Sequence, residues 1–550
     1  METIEVVLAM LLAVVVSGYV VRVIPIALPL PIIQIALGAV IAGIFKRGVI
    51  LDPEIFFMLF IPPLLFLDGW RIPKDGLLRD KAAILELALG LVVFTVMGMG
   101  FLIHWMIPVM PLPVAFALAA VVSPTDPVAL SAIKGRAPIP KRLMHILEGE
   151  SLLNDATGLV CFRFAVTAAV TGAFSIASAS MTFLWVSLAG VVIGGSLTAG
   201  VSFGQRWLSR LIGEERGLPI LINLLLPFGA YLLAEELHAS GILAAVAAGI
   251  TMSYVELSGR ALATTRIQRA AIWETVQLAL NGITFVLLGE QLPSILRGAA
   301  MSVEQSGRLN PWWLAVYALA ITFGLALLRL AWVWTSLRLT LFRAKQRGES
   351  MRKPHWRLVV AMSLAGVRGA ITMAGVLTLP LVMPDGSPFP ARELVVFLAA
   401  SVILLSLTVA SIGLPRLLKG LELPDEPVVL LEEDRARQAA ASAAIAAVEK
   451  AQLTLPHAPS DIDIYTNAAA RVIALYQLRL NRLEGAPSGR EAEQLRKADM
   501  AESTLRLAGL QAEREAVYRL VRQNLISDET ASKIVREIDL VESRYQWKQP

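Results

Sequence analysis

The sequence predicts an all-α polytopic membrane protein of about thirteen spans, followed by a helical soluble segment. Three observations carry this. Of 550 residues, 56% are hydrophobic and only 17% charged, with a mean hydropathy of +0.65, which places the chain outside the soluble globular class. The apolar residues fall in runs of roughly 20, the length that crosses a hydrocarbon core about 30 Å thick. Lys and Arg are also sorted unevenly between alternate connections.

Cutting at charged, Pro-rich and Gly-rich breaks gives spans over 4–22, 29–46, 52–69, 83–107, 112–133, 144–171, 182–206, 218–237, 239–256, 268–292, 312–341, 358–382 and 393–415. The odd-numbered connections hold 21 Lys and Arg residues, the even-numbered ones 5. Because positive charge is retained on the cytoplasmic side, this alternation predicts an odd number of spans, the N-terminus outside and the tail inside. The start, Met1-Glu2-Thr3-Ile4-Glu5, is acidic and its first cation, Arg22, follows the apolar run, so the first segment is expected to span rather than act as a signal peptide.

Two stretches resist this apolar setting. Ser123-Pro124-Thr125-Asp126-Pro127 lies in the fifth span and Glu150-Ser151-Leu152-Leu153-Asn154-Asp155 in the sixth. Polar groups in hydrocarbon must be satisfied internally, so two prolines around an acid, then two acids in one helix, mark a functional site. Asp126 is placed as N-cap of a half-helix with Pro127 at its first position, and Pro124 ends the half-helix before it. The fifth span is therefore expected to be broken. Glu150 with Asn154, and Ser151 with Asp155, lie one turn apart and form a continuous polar patch. Oxygens from Asp155, Asp126, Ser151 and Thr125 suit a hard monovalent cation or protons, and are too few for a calcium cage. A buried carboxyl holds a proton more readily than a wet one, which lets proton and cation compete for it.

Two arginines sit inside later spans, Arg329 in the eleventh and Arg368 in the twelfth. Arg368 lies between Gly366 and Gly369, so the twelfth span is the second expected to break. Two roles are open to Arg368: neutralising a half-helix C-terminus, or pairing with Glu150. The two breaks are seven spans apart, an odd offset that implies opposite orientation, as inverted repeats require. Asn281 either hydrogen-bonds between helices or lines an access route. Arg163 either snorkels or pairs with an acid, and the role of Glu148 is left open.

From about residue 420 the composition turns to Ala, Glu, Arg and Gln. Helices are predicted over 428–453, 461–483, 489–525 and 528–545, with Ser527 as an N-cap before Asp528 and Glu529. This tail reads either as a regulatory or oligomerisation unit or as a solvated appendage, and holds no nucleotide-binding loop. The single cysteine, Cys161, excludes an internal disulfide, and no His or Cys spacing suggests zinc. The formal net charge of +5 comes from dispersed loop cations, which fits membrane orientation rather than nucleic-acid binding. No cofactor is implied.

Ser-Pro-Thr-Asp-Pro, Gly-Glu-Ser-Leu-Leu-Asn-Asp and Gly-Val-Arg-Gly-Ala, in that order, resemble the monovalent cation:proton antiporter family, with its bacterial NhaP/YjcE-like and animal NHE-like sodium/proton exchangers. The resemblance covers about residues 5–418 and assigns 1–418 to a transmembrane antiporter domain and 419–550 to a helical cytoplasmic tail. It implies a homodimer in the bacterial inner membrane and two crossed broken helices within a mobile core. It also implies that Asp155 carries the ion and the proton, that Thr125, Asp126 and Ser151 coordinate Na+, and that Glu150 pairs with Arg368. Asn154 before Asp155 resembles the electroneutral members, which exchange one for one, rather than those with two adjacent aspartates. Val367 stands where many relatives have Leu, a change that stays apolar. Two rival classes fit less well: an intramembrane aspartyl protease would need a Gly-x-Gly-Asp motif, absent around Asp126 and Asp155, and a channel has no need of paired inverted breaks.

Overall fold

The structure, a computed structural model, describes residues 2–23, 29–45, 53–71, 84–126, 141–172, 176–212, 217–257, 263–305, 312–346, 355–419, 427–454, 462–484, 490–523 and 525–546. The chain divides into two compact units, Met1–Leu423 and Pro424–Pro550.

Among the described residues of the first unit the regular structure is helical, apart from one isolated bridge between Val382 and Pro388. Its helices are α1 (Glu2–Val23), α2 (Leu30–Phe45), α3 (Pro53–Arg71), α4 (Val92–Met106), α5 (Leu112–Val122), α6 (Lys141–Thr171) and α7 (Ile176–Ile212). They are followed by α8 (Leu218–Glu236), α9 (Gly241–Leu257), α10 (Ala263–Gln305), α11 (Trp312–Gln346), α12 (Trp356–Leu364), α13 (Ala370–Leu377) and α14 (Arg392–Leu418). A π-helical turn, Glu86–Leu91, runs directly into α4. Among the described residues eight helices are long and apolar enough to cross a membrane, and three shorter apolar ones accompany them. Each expected span contains a helix, but the ends differ. α7 and α10 run well past their expected limits, because a helix continues into Arg-, Gln- and Glu-bearing turns after hydropathy falls. Arg269 of α10 is buried, paired with Glu256 and stacked over Trp70 at 5.3 Å.

Helices packed in an apolar medium gain little from burying apolar surface, so close approach through small residues matters more. That device recurs here. A Cβ on Gly38 of α2 would run into the Val286 carbonyl of α10, and one on Gly289 of α10 into the Ile35 carbonyl of α2. The pair α3 and α9 meets in the same way through Gly69 against Val246 and Gly249 against Phe66. α14 is the most enclosed of the eight long apolar helices, burying Leu394 to Ala400 in an unbroken run, and it belongs to a core shared with α4, α5, α11 and α12.

The second unit holds α15 (Pro427–Thr454), α16 (Ile462–Glu484), α17 (Arg490–Arg522) and α18 (Asp528–Gln546). α17 and α18 close on Val517, Ala531 and Ile538. Arg514 of α17 bridges to Asp539 at 2.8 Å and to Glu542 of α18. Ser527 accepts the Thr530 N–H at 3.2 Å, the N-cap expected from the sequence.

Filling one of the backbone-to-backbone contacts tests the packing. Gly249→Val is expected to cost about 1–3 kcal/mol through overpacking and to lower the melting temperature of the detergent-purified protein. Gly200→Val, at a position with nothing within 4 Å, should leave it unchanged.

Candidate functional site

α5 stops at Val122, and Ser123 to Asp126 continue without helical structure. Pro124 supplies the reason, since its ring cannot donate to the preceding turn. The ring packs against α6 at Gly158, where a Cβ would overlap it. Pro127, and with it the proposed N-cap geometry of Asp126, lies outside the described residues. In the twelfth span the break is complete: α12 ends at Leu364, residues 365–369 are unwound, and α13 begins at Ala370.

The two unwound segments touch. The Asp126 N–H donates to the Val367 carbonyl at 2.7 Å. Gly369 lies against the Asp126 side chain so closely that a Cβ there would overlap the carboxylate. Arg368 is buried between them, its Nε donating to the Val122 carbonyl at 2.8 Å and its Nη1 to the Gly366 carbonyl, while its own N–H donates to Ser406 Oγ of α14 at 3.2 Å. These carbonyls lost their helical partners when the helices stopped, and a buried carbonyl without a donor is costly.

On α6, Glu150, Ser151, Asn154 and Asp155 are all buried, as is Thr125 opposite them. Glu150 is held by Arg329 of α11 in a two-pronged pair, Nη1 to Oε1 at 2.5 Å and Nη2 to Oε2 at 2.8 Å, and Arg329 Nε donates to the Met362 carbonyl at 3.0 Å. This corrects the expected pairing of Glu150 with Arg368. The physical reason is geometric, because Arg368 directs its Nε and Nη1 to orphaned carbonyls while the planar fork of Arg329 matches a carboxylate. Thr125 Oγ1 donates to Glu150 Oε1 at 3.3 Å and accepts from Asn154 Nδ2 at 3.1 Å, linking the unwound loop to α6. Asn154 Oδ1 and Ser123 Oγ are buried with no hydrogen-bond partner among the described residues. Such orphaned oxygens are rare unless something else binds them.

Asp155 shares its surroundings with the carboxylates of Asp126, Glu150 and Asp68. Asp68, near the end of α3, was not singled out in the sequence because it stands close to Arg71, where acids at a span's end are common. Asn281 is partly buried on α10, and among the described residues no hydrogen bond links it to this cluster. The side chain of Glu148 lies outside the described residues.

One turn beyond Asp155, the same face of α6 reaches a cavity of about 590 Å³. Its apolar walls are Met58 of α3 and Leu159, Phe162 and Val166 of α6, and its polar lining includes Arg163, Tyr231 and Glu235. Arg163 pairs with Glu235 of α8 at 3.1 Å, the second of the two roles open to it.

A buried acid beside two joined, interrupted helices marks the candidate site of this unit. The family model for the transmembrane sodium/hydrogen exchanger matches residues 9–420. The chain belongs to that family. It is accordingly a cation/proton exchanger, a membrane transporter. The exchanger is 42% identical over 548 residues to the uncharacterised Na(+)/H(+) exchanger YjcE of Escherichia coli, covering 99% of both chains. It is 38% identical over 557 residues to the sodium, potassium, lithium and rubidium/H(+) antiporter of Bacillus pumilus, covering 99% of this chain and 78% of the relative. The solved structure of the sodium proton antiporter MjNhaP1 from Methanocaldococcus jannaschii shares the fold, with a TM-score of 0.57 at 18% identity, over 76% of this chain and 99% of that one.

The corrected ion pair is testable in the exchanger. Breaking it from either side, by Glu150→Gln or Arg329→Met, strands a buried charge and is expected to destabilise by about 3–5 kcal/mol. The double variant should be more stable than either single one, measured as melting temperature in detergent. Additive losses would refute the pairing.

Proposed function

We propose that the exchanger swaps Na+, with Li+ or K+ as alternative cargo, for H+ one for one, and that Asp155 is the carboxylate both ions use. The observation that supports this is the engagement of both guanidiniums. Arg329 neutralises Glu150, and Arg368 is occupied by carbonyls. Of the two buried acids on α6, Asp155, one turn along from Ser151, is then the one left to meet cargo, with oxygens of Thr125, Asp126 and Ser151 in its neighbourhood and the orphaned Asn154 Oδ1 as a further acceptor.

Competition at one carboxylate gives coupling without further machinery. Asp155 carrying a proton is neutral, and Asp155 carrying one monovalent cation is neutral too. The loaded site therefore moves no net charge in either direction, which is electroneutral exchange. An empty, ionised Asp155 is a bare charge in a water-poor interior, and moving it is costly. The carrier returns only when loaded. Asn154, uncharged where a second acid would add a charge, supports this stoichiometry. The Bacillus pumilus relative, whose name includes four alkali cations, supports cargo alternatives.

The wider reading follows from the alternation of Lys and Arg. The transporter would have thirteen spans with the N-terminus outside and the tail cytoplasmic, in a bacterial inner membrane. The breaks after α5 and between α12 and α13 would be the crossed pair of two inverted repeats, moving as a core against a dimerisation surface in a homodimer by alternating access. Its task would be cytoplasmic pH and sodium homeostasis.

Asp155→Asn is expected to abolish cation-induced pH changes in everted vesicles while the purified protein keeps its elution profile and melting temperature. Exchange at the wild-type rate would sink the assignment. For the stoichiometry, imposing a membrane potential on proteoliposomes should leave the initial rate of Na+-driven proton movement unchanged; a rate that rises or falls with the potential would show net charge transfer.

A further inference from the structure

The cavity beyond Asp155 is crossed by a charge pair. Arg163 lies two turns after Asp155 on α6, and Glu235 lies in the last turn of α8. The Glu235 Oε1 that accepts from Arg163 Nη2 at 3.1 Å also accepts the Gly241 N–H at the start of α9, at 3.2 Å. Glu235 is thus tied to a helix N-terminus, where an anion is favoured, and Arg163 is the partner reaching it from the helix that carries Asp155. Both side chains are only half-buried, at 47% and 34% relative exposure, and pairs of that kind contribute little to stability.

Their placement matters more than their strength. The pair sits against the apolar walls Met58, Leu159, Phe162 and Val166, with Tyr231, Thr167 and Thr378 as uncharged polar neighbours, and charges beside low-dielectric walls act over longer distances than on an open surface. Of the lining residues, Leu159 and Phe162 lie one and two turns from Asp155 on the same helix face. Every lining residue comes from the part of its helix remote from the Lys- and Arg-rich connections: Met58 early in α3, Leu159 to Thr167 late in α6, Tyr231 and Glu235 late in α8, Thr378 just after α13. The cavity therefore lies toward the face opposite those connections, and the Arg163–Glu235 pair is part of its lining.

We propose that Glu235 is an access site for the transported monovalent cation, and that Arg163 competes with the cation for it, so the pair sets the apparent affinity of the exchanger on that face. This rests on the exchange function proposed above. With Arg163 in place the carboxylate is masked; when a cation displaces the guanidinium, Glu235 holds it at the mouth and the α6 face leads inward. The pair is a positioning device, not the transported site itself. Its signature is a change in half-saturation on one face, in opposite directions for its two members.

The test uses the full chain in right-side-out and everted vesicles, with Na+ added on one face at a time and initial proton fluxes recorded. Glu235→Gln removes the attraction and leaves Arg163 unpaired, so the half-saturating Na+ concentration on the cavity face should rise by about two- to fivefold. Arg163→Gln unmasks the carboxylate and should lower it by a similar factor. The double variant should return close to wild type, Glu235→Asp should stay near wild type, and the opposite face should not shift. Unshifted half-saturation, equal shifts on both faces, shifts of both single variants in one direction, or a change in maximal rate alone would each overturn the proposal. A wild-type protein that exchanges no cation would instead overturn the exchange reading.

Discussion

Two helices stop inside an apolar unit, and one guanidinium takes the carbonyls they leave behind. The hydrogen bonds from Arg368 to Val122 and Gly366 are the constraint on which the rest of the site depends. Without water to hydrate an interrupted helix, the interruption is tolerated only where a donor is already in place. Arg368 supplies donors for both breaks at once, and Ser406 fixes its backbone from α14. An unwound loop in such a setting is a stable structure, and its backbone and hydroxyl oxygens become available for chemistry that a regular helix would conceal.

The second arginine has a different task. Arg329 shares its donors between the Glu150 carboxylate and the Met362 carbonyl, so it neutralises an acid and caps α12 together. This separates two carboxyls that lie close on one helix. Glu150 is a structural anion, locked by a fork-to-fork pair and further bound by Thr125. Asp155, five residues on, is not held by either arginine, which is what the proposed exchange at its oxygens requires. The same chemical group serves opposite ends because one has a permanent counter-ion and the other does not share it.

Much of this was legible in the sequence through backbone chemistry. Pro124 marks the end of α5, and the glycines around Arg368 mark the unwinding between α12 and α13, because proline and glycine act through their own bonds and need no partner to be known. Partnership was not legible in the same way. Arg329 and Arg368 are both isolated cations within apolar spans, and nothing in the local sequence says which of them faces α6; that depends on how α11 and α12 pack. Asp68 was missed for a related reason, since an acid near a span's end resembles an interfacial residue until the fold brings it near Asp155. Helix ends at α7 and α10 were misjudged because hydropathy reports where lipid ends, and the helical hydrogen-bond ladder continues past that point. Arg163 stood between two readings until Glu235 of α8 appeared beside it.

The hydrogen bond from Asp126 to Val367 has a mechanical consequence. It joins the loop after α5 to the loop before α13, while Arg368 adds α14, and Arg329 with Glu150 adds α6 and α11. Sliding any one of these helices past another would leave a donor or a carbonyl stranded without solvent. The set therefore behaves as a stiff body with few internal degrees of freedom. In the proposed alternating access, displacement would fall at its outer surfaces, where the contacts are apolar and slip costs little, or where, as between Arg163 and Glu235, a single half-exposed pair could part and re-form. Stiffness within the candidate site and easier slip at its boundary would thus be two results of the same rule, that polar groups away from water keep their partners.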